Sequence, residues 1–237
     1  EGTVFQTSLD TEVMANLIAK YSKRGLLHAI SAMMKVVKGS YALMIMTQDE
    51  LVAVRDPLGI RPLALGKLDD NYVVASESCA FDAIDAEFVR DVRPGEIIVV
   101  NKNGLKSYQA QSSMETALCV FEYVYFARPD SDIDGISVYR SRENMGTRLA
   151  QAFPIDADLV SDVPDSATPA ASGYAAESGI PYAKALSKNR YVGRTFIQPS
   201  QALRERGVKL KLNAMKRNVH GKRLILIDDS IVRGTTS

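Results

Sequence analysis

The densest run of chemistry-bearing residues closes the sequence, LILIDDSIVRGTTS from Leu224 to Ser237. Its four apolar residues read as a buried strand. Two adjacent carboxylates, Asp228 and Asp229, stand at the C-terminal end of that strand, the end at which open α/β sheets bind ligands. Ser230, Gly234, Thr235, Thr236 and Ser237 come next in a loop whose backbone N–H groups and hydroxyls can turn toward a phosphate at a helix N-terminus. Carboxylates do not hold phosphate, so the acidic pair serves either a divalent metal or the hydroxyls of a sugar attached to that phosphate. Together these residues describe a ribose phosphate site. It is not a Walker A loop, and it has no G-x-G-x-x-G either. The competing structural reading is a solvated Asp pair and an ordinary turn. Two unit charges about 4 Å apart repel by about 4 kcal/mol at an effective dielectric of about 20, and adjacent strand residues escape that by facing opposite ways.

The second signal is charge. Lys184 to Arg223 holds twelve Lys and Arg against one acid, Glu205, for a net +11, whereas the whole chain carries only +1 and the remainder therefore −10. Within the window, KNRYVGRTF (Lys188 to Phe196) mixes Lys188, Arg190 and Arg194 with Gly193, Tyr191 and Phe196. A cationic lid closing over a pyrophosphate needs that mixture of charge, flexibility and water exclusion. A nucleic-acid-binding strip has the same composition, and charge alone does not choose between them.

The elements that must position these groups fall into two grammars. Asp10 to Lys38 has helical periodicity interrupted at Arg24-Gly25, with Ser8 and Asp10 as candidate N-caps. After Gly39 the period becomes two, in seven short segments from SYALMIM to LKSYQA separated by turn residues, with one short helix near Cys79 to Ile84. That half reads as an antiparallel sheet packed on helices, an α+β layered domain. The polar stretch QAQSSME, Gln109 to Glu115, is the linker candidate. Beyond it strands and helices alternate: strand Cys119 to Phe126, helix Val138 to Phe153, strand Asp158 to Val163, helix Pro169 to Ser178, strand Arg223 to Ile227. Alternation of this kind marks a parallel, doubly wound α/β sheet.

Composition bounds what remains. With 237 residues, 46% apolar and 24% charged, the chain has the profile of a soluble globular protein able to bury a sizeable core. No apolar run exceeds the six residues Tyr41 to Met46, so a cytoplasmic protein without membrane partner is expected. Two cysteines and two histidines cannot build a disulfide framework, and their separation argues against a zinc site or a His-centred triad. A start at Glu1 and a stop at Ser237 inside an apparent active loop are expected of a piece of a longer chain.

KNRYVGRTFIQPSQALRERG, FEYVYFARPDSDIDG, VPDS at Val163 to Ser166 and LILIDDSIVRGTTS strongly resemble the glutamine phosphoribosylpyrophosphate amidotransferase (amidophosphoribosyltransferase) family of purine synthesis. SLDTEV, DPLGIRPLALG, VVASES and VRPGEIIVV resemble the later part of its class II glutaminase domain. The resemblance implies a partial α+β N-terminal-nucleophile domain over 1–111, then a partial α/β type I phosphoribosyltransferase domain over 112–237. It implies that Ser166, Asp228 and Asp229 contribute to Mg²⁺ and phosphoribosylpyrophosphate binding. The loop Ser230 to Ser237, Arg233 included, would hold the 5-phosphate, and Lys188, Tyr191 and Arg194 would contact the leaving pyrophosphate. Asp10 matches a carboxylate that holds the α-ammonium group of glutamine. No catalytic residue is expected within the sequence, because the family's nucleophilic Cys would lie upstream of Glu1; no glutaminase activity is then expected of this piece alone. Cys79 and Cys119 read as buried structural thiols. Cys119 also matches one of four ligands of a [4Fe–4S] cluster in one branch of the family, the other three falling beyond Ser237. Purine nucleotides as feedback inhibitors, homo-oligomerisation and no nucleic-acid partner complete what the resemblance implies. The rival reading is a phosphoribosylpyrophosphate-binding regulator of the same fold, which would carry a DNA-binding domain in place of the glutaminase sequence.

Overall fold

The computed structural model describes residues 5–111, 115–189, 191 and 210–231. The chain divides into two compact units, one of residues 1–119 with 132–134, the other of 120–131 with 135–237. The backbone past residue 111 stays with the first unit: the amides of Ala117 and Cys119 donate to the carbonyls of Leu58 and Ile60 at 2.8 and 3.0 Å.

In the first unit, α1 (Asp10–Tyr21) and α2 (Leu26–Val36) are separated at Gly25, whose φ of 96° suits a residue without a Cβ. Neither expected N-cap serves α1. Leu9 takes that position without a side-chain bond, and the Glu12 carboxylate reaches back instead to the amides of Gln6 and Thr7, both at 2.8 Å. Glu12 thereby ties the incoming chain to the first turn, its charge complements the helix dipole, and Asp10, as first residue of the helix, accepts the Thr11 amide.

The sheet strands come next as β1 (Ala42–Met46), β2 (Glu50–Arg55), β3 (Ala64–Leu68) and β4 (Asn71–Ala75), then the one-turn α3 (Cys79–Asp82), β5 (Glu87–Asp91), β6 (Glu96–Asn101) and β7 (Gly104–Gln109). They form two antiparallel sheets, ordered β1-β2-β6-β7 and β4-β3-β5. Alternation along β2 explains the layering. Val52 and Val54 face α2 with Ile97 and Val99, while Ala53 faces the second sheet with Ile98, Leu63, Leu65 and Val92. Both faces of the larger sheet are thus covered, as an α+β layered domain requires.

Two ion pairs, each with one fully buried partner, hold this unit. Arg55, fully buried, donates to both Asp134 oxygens at 2.8 Å and to the carbonyls of Arg61, Val92 and Gly59. Glu96, 1% exposed, accepts from both Arg90 guanidinium nitrogens, Ser107 Oγ and the Arg93 amide. Burial alone would raise the Glu96 carboxyl, but these donors outweigh it and hold it below its usual range.

The second unit opens with a correction. Residues 119–126, expected as a strand, contain instead a π-helical turn, Glu122–Phe126. The cause lies in a later helix: the buried Arg142 guanidinium donates to the carbonyls of Tyr123 (2.7 Å), Ala127 (2.8 Å) and Glu122 (3.4 Å), gathering groups that a strand would have offered to a neighbour. After two-residue strands β8 (Asp132–Ile133, within the first unit) and β9 (Ile136–Ser137) come α4 (Val138–Ala152), β10 (Leu159–Asp162), α5 (Thr168–Ser178), β11 (Leu186–Lys188), β12 (Leu212–Ala214) and β13 (Leu224–Ile227). β10 and β13 pair in parallel, Asp162 opposite Ile227, and Tyr182 bridges to Val160 on the other side of β10, also in parallel. Ala150, Ala167, Ala171, Tyr174 and Ala175 pack on Val160, Ile225 and Ile227. α4 and α5 approach so closely that a Cβ on Gly146 would stand 1.8 Å from the Ala170 carbonyl oxygen, and one on Gly173 2.0 Å from that of Glu143.

Candidate functional site

The parallel pair delivers its last residues to one edge, and the loops leaving that edge carry Ser166, Asp228, Asp229 and Ser230 of the predicted groups among the described residues. From β13 come Asp228 and Asp229, both half-buried, then exposed Ser230. From β10 comes the turn Val163 to Ala167, carrying Asp165 and Ser166; the Val163 amide donates to the Ile227 carbonyl at 2.8 Å, extending the pairing past both strands. Ser166 Oγ donates to Asp229 Oδ2, and Ser230 Oγ donates to Asp229 Oδ1 at 2.8 Å. Asp228 Oδ1 accepts the Asp229 amide at 2.9 Å. Ser166, Asp228, Asp229 and Ser230 are therefore one constellation assembled at two strand ends, Ser166 and Asp229 lying 63 residues apart in sequence.

The electrostatics of the pair are asymmetric. Burial pushes the Asp228 carboxyl up from its ordinary 3.8, and the neighbouring Asp229 charge pushes the same way against the amide bond that Asp228 accepts. A carboxylate disfavoured in this manner is stabilised by a bound cation. Cationic side chains sit on the adjoining segment: Lys188, at the end of β11, pairs through Nζ with Asp165 Oδ2. Tyr191 is 99% exposed, its amide donating to Asn189 Oδ1 at 3.0 Å. Arg194, Arg233, Gly234, Thr235, Thr236 and Ser237 lie outside the described residues.

Sequence reasoning missed the layer beneath. Asp162, the last residue of β10, is fully buried and accepts from Lys184 Nζ at 2.7 Å, Tyr182 OH at 2.9 Å and Thr168 Oγ1. Burial opposes its ionisation, yet the bonds from Lys184, Thr168 and Tyr182 win, and its carboxyl is held below the usual range. The available signal was a charged residue closing the short strand LVSD, between Val160 and Val163, where burial requires partners.

Asp10 belongs to the first unit, where it is exposed at the start of α1 and accepts the Thr11 amide at 2.8 Å. Cys79 is buried, as expected; Cys119 is only partly so, its amide bonded to Ile60. Among the described residues no group of three or more His, Cys, Asp or Glu could hold a metal ion. Two carboxylates and a hydroxyl do match Mg²⁺, which binds through one or two carboxylates and leaves its other positions to water and substrate oxygens. A [4Fe–4S] cluster needs four thiolates, and two cysteines do not supply them. Among the described residues no helix is long and apolar enough to cross a membrane.

Comparison with known proteins adds to this geometry. A family model described as a glutamine amidotransferase domain matches residues 1–83. The amidophosphoribosyltransferase of Bacillus subtilis is 52% identical over 237 residues, all of this chain and 50% of that protein. That of Archaeoglobus fulgidus is 51% identical over 239 residues, again all of this chain and 52% of the relative. Among solved structures, the glutamine phosphoribosylpyrophosphate amidotransferase of B. subtilis complexed with ADP and GMP superposes with a TM-score of 0.90 at 53% identity, over 99% of this chain and 52% of that one. The chain spans about half the length of the curated relatives it matches. Along its entire length, and in its fold, the chain is thus similar to about half of each of these amidophosphoribosyltransferases.

Proposed function

We propose that the full-length protein transfers a phosphoribosyl group from phosphoribosylpyrophosphate to ammonia released from glutamine, giving phosphoribosylamine, glutamate and pyrophosphate. The observation that carries this reading is the constellation of Ser166, Asp228, Asp229 and Ser230 at the carboxyl ends of two parallel strands, with Lys188 on the adjoining segment. Its anion-rich centre suits a sugar bearing hydroxyls and a bound divalent cation. Its cationic neighbours suit a polyphosphate. The α+β unit supports a partial N-terminal-nucleophile glutaminase domain, and the parallel-strand unit a partial type I phosphoribosyltransferase domain, with the boundary near residue 119, where the two compact units divide.

In this reading Asp228 and Asp229 orient the ribose and would hold Mg²⁺, with Ser166 fixing the Asp229 carboxylate. Mg²⁺, when bound, neutralises charge developing on the departing pyrophosphate. Lys188, Tyr191 and Arg194 bind that leaving group, and the loop 230–237, with Arg233, Gly234, Thr235, Thr236 and Ser237, binds the 5-phosphate. The C1–O bond breaks with its electron pair leaving on pyrophosphate, the C1–N bond forms from the ammonia lone pair, and one proton is lost to water. No side chain acts as nucleophile; positioning and charge stabilisation supply the rate. Asp10 holds the α-ammonium group of glutamine in the other unit. Binding of purine nucleotides is supported by the related structure solved with ADP and GMP. The phosphoribosylpyrophosphate-binding regulator is not favoured, because residues 1–83 match a glutamine amidotransferase domain.

Titration calorimetry of the full-length protein with phosphoribosylpyrophosphate and Mg²⁺ tests the site. Saturable binding is expected, lost in Asp228→Asn plus Asp229→Asn. Unchanged affinity in that double variant refutes the assignment.

A further inference from the structure

Asp162 is the most deeply buried charge near the site, and the function just proposed gives it no task. Its three donors come from two segments. Thr168 is the first residue of α5 and closes the turn carrying Asp165 and Ser166. Tyr182 and Lys184 belong to the extended segment leading into β11 and thus to Lys188. That segment is fastened to β10 along its length: the Val160 amide donates to Pro181 O at 2.9 Å, the Ala183 amide to Val160 O at 3.0 Å, and the Ala185 amide to the buried Ser161 Oγ at 2.8 Å. The same two segments meet again above, in the pair between Lys188 and Asp165.

Lys184 differs from the other donors. Its side chain is 43% exposed while its partner is fully buried, and Nζ also lies 5.7 Å from the centre of the Tyr182 ring. Tyr182 and Thr168 alone would leave a buried carboxylate with neutral donors only. The charge-assisted bond from Lys184 keeps it ionised in place.

We propose that Asp162 and Lys184 form a positioning pair: by tying the β10 turn to the segment entering β11, they set Ser166, Asp165 and Lys188 at the separation that phosphoribosylpyrophosphate requires. Neither residue need touch the reacting atoms. The proposal rests on the phosphoribosylpyrophosphate reading, because the groups it positions are those assigned to that ligand. A misplaced binding group costs affinity for the ligand it grips before it costs the chemical step.

The test uses the full-length protein with Asp162→Asn, Lys184→Met, both together, and Lys184→Arg, reading Kd for phosphoribosylpyrophosphate with Mg²⁺ and the split between KM and kcat. Each single variant is expected to raise Kd and KM by roughly 10-fold with kcat within about twofold, because the pair positions binding groups without joining the reaction. The double variant should be no worse than either single one, and Lys184→Arg should recover most of the affinity, since the cation is retained. A merely structural pair would lower the melting temperature and leave KM unchanged, and that result overturns the proposal. So does a double variant whose loss equals the sum of the single losses. Should Asp162→Asn fail to fold, Lys184→Met, altering a partly exposed side chain, decides alone. Absence of binding by the unaltered protein would instead overturn the reading of the site itself, and this inference with it.

Discussion

At the scale of single residues, Asp228 shows how function and stability separate. Its carboxyl is raised above 3.8 by burial and by Asp229, so the folded state resists its ionisation. A raised carboxyl costs no stability below its ordinary value, and the cost grows as pH climbs through that value toward the folded one, remaining in force at neutral pH. Asp228→Asn is therefore expected to melt at the same or a higher temperature than the parent near pH 7 while losing phosphoribosylpyrophosphate with Mg²⁺. A marked drop in melting temperature would mean that the carboxylate serves the fold. Glu96 has the opposite sign. Its folded value is depressed below 4.5, so its stabilisation is complete above pH 4.5 and disappears as pH falls through the depressed value. Glu96→Gln should cost about 3 kcal/mol near pH 7, because one partner of a buried pair is removed, and much less under strongly acidic conditions. Urea unfolding at both pH values measures the difference.

At the scale of elements, the contact between α4 and α5 holds the β10 turn and its Ser166. Gly146 and Gly173 are needed there because their neighbours across the interface are backbone carbonyls, which cannot rotate away as a side chain can. Gly146→Ala or Gly173→Ala should destabilise the second unit by about 2 kcal/mol, the range for overpacking, despite alanine's better helix propensity. Thermal melts decide; unchanged stability would mean that the helices slide apart at little cost. The π-helical turn at Glu122–Phe126 makes a related point. FEYVYF has the composition of a strand, and a buried guanidinium from α4 rather than local preference sets its conformation.

For the whole molecule, the charge pattern suits either a small anionic ligand or a nucleic acid, and the strand-end constellation of Ser166, Asp228, Asp229 and Ser230 favours the first. The window Lys184 to Arg223 carries +11 against −10 elsewhere, and a nucleic-acid strip on such a window would show affinity falling steeply with salt. We expect the full-length protein to bind neither random duplex DNA nor single-stranded RNA at physiological salt, while binding of phosphoribosylpyrophosphate with Mg²⁺ persists. Tight, salt-sensitive nucleic-acid binding in a filter or anisotropy assay would reverse that assignment.

Periodicity and turn residues marked α1, α2, the break at Gly25 and the seven antiparallel strands, because a helix satisfies its own backbone and these strands pair largely with near neighbours in sequence across short turns. The strand-end carboxylates were legible because an apolar run ends directly before them: Ile225 and Ile227 are buried, although Leu224 is exposed, and Asp228 and Asp229 follow at the strand end. What the sequence could not determine was which distant group meets which. Ser166 reaches Asp229 only because β10 and β13 pair in parallel, and that register depends on helices packed elsewhere. The carboxylate of Asp162, a buried charge at the end of β10, is tolerable only where Lys184, Tyr182 and Thr168 converge on it. Such convergence is long-range, and no local spacing encodes it; tertiary structure decided it, since a buried charge is stable only where donors from separate segments arrive together.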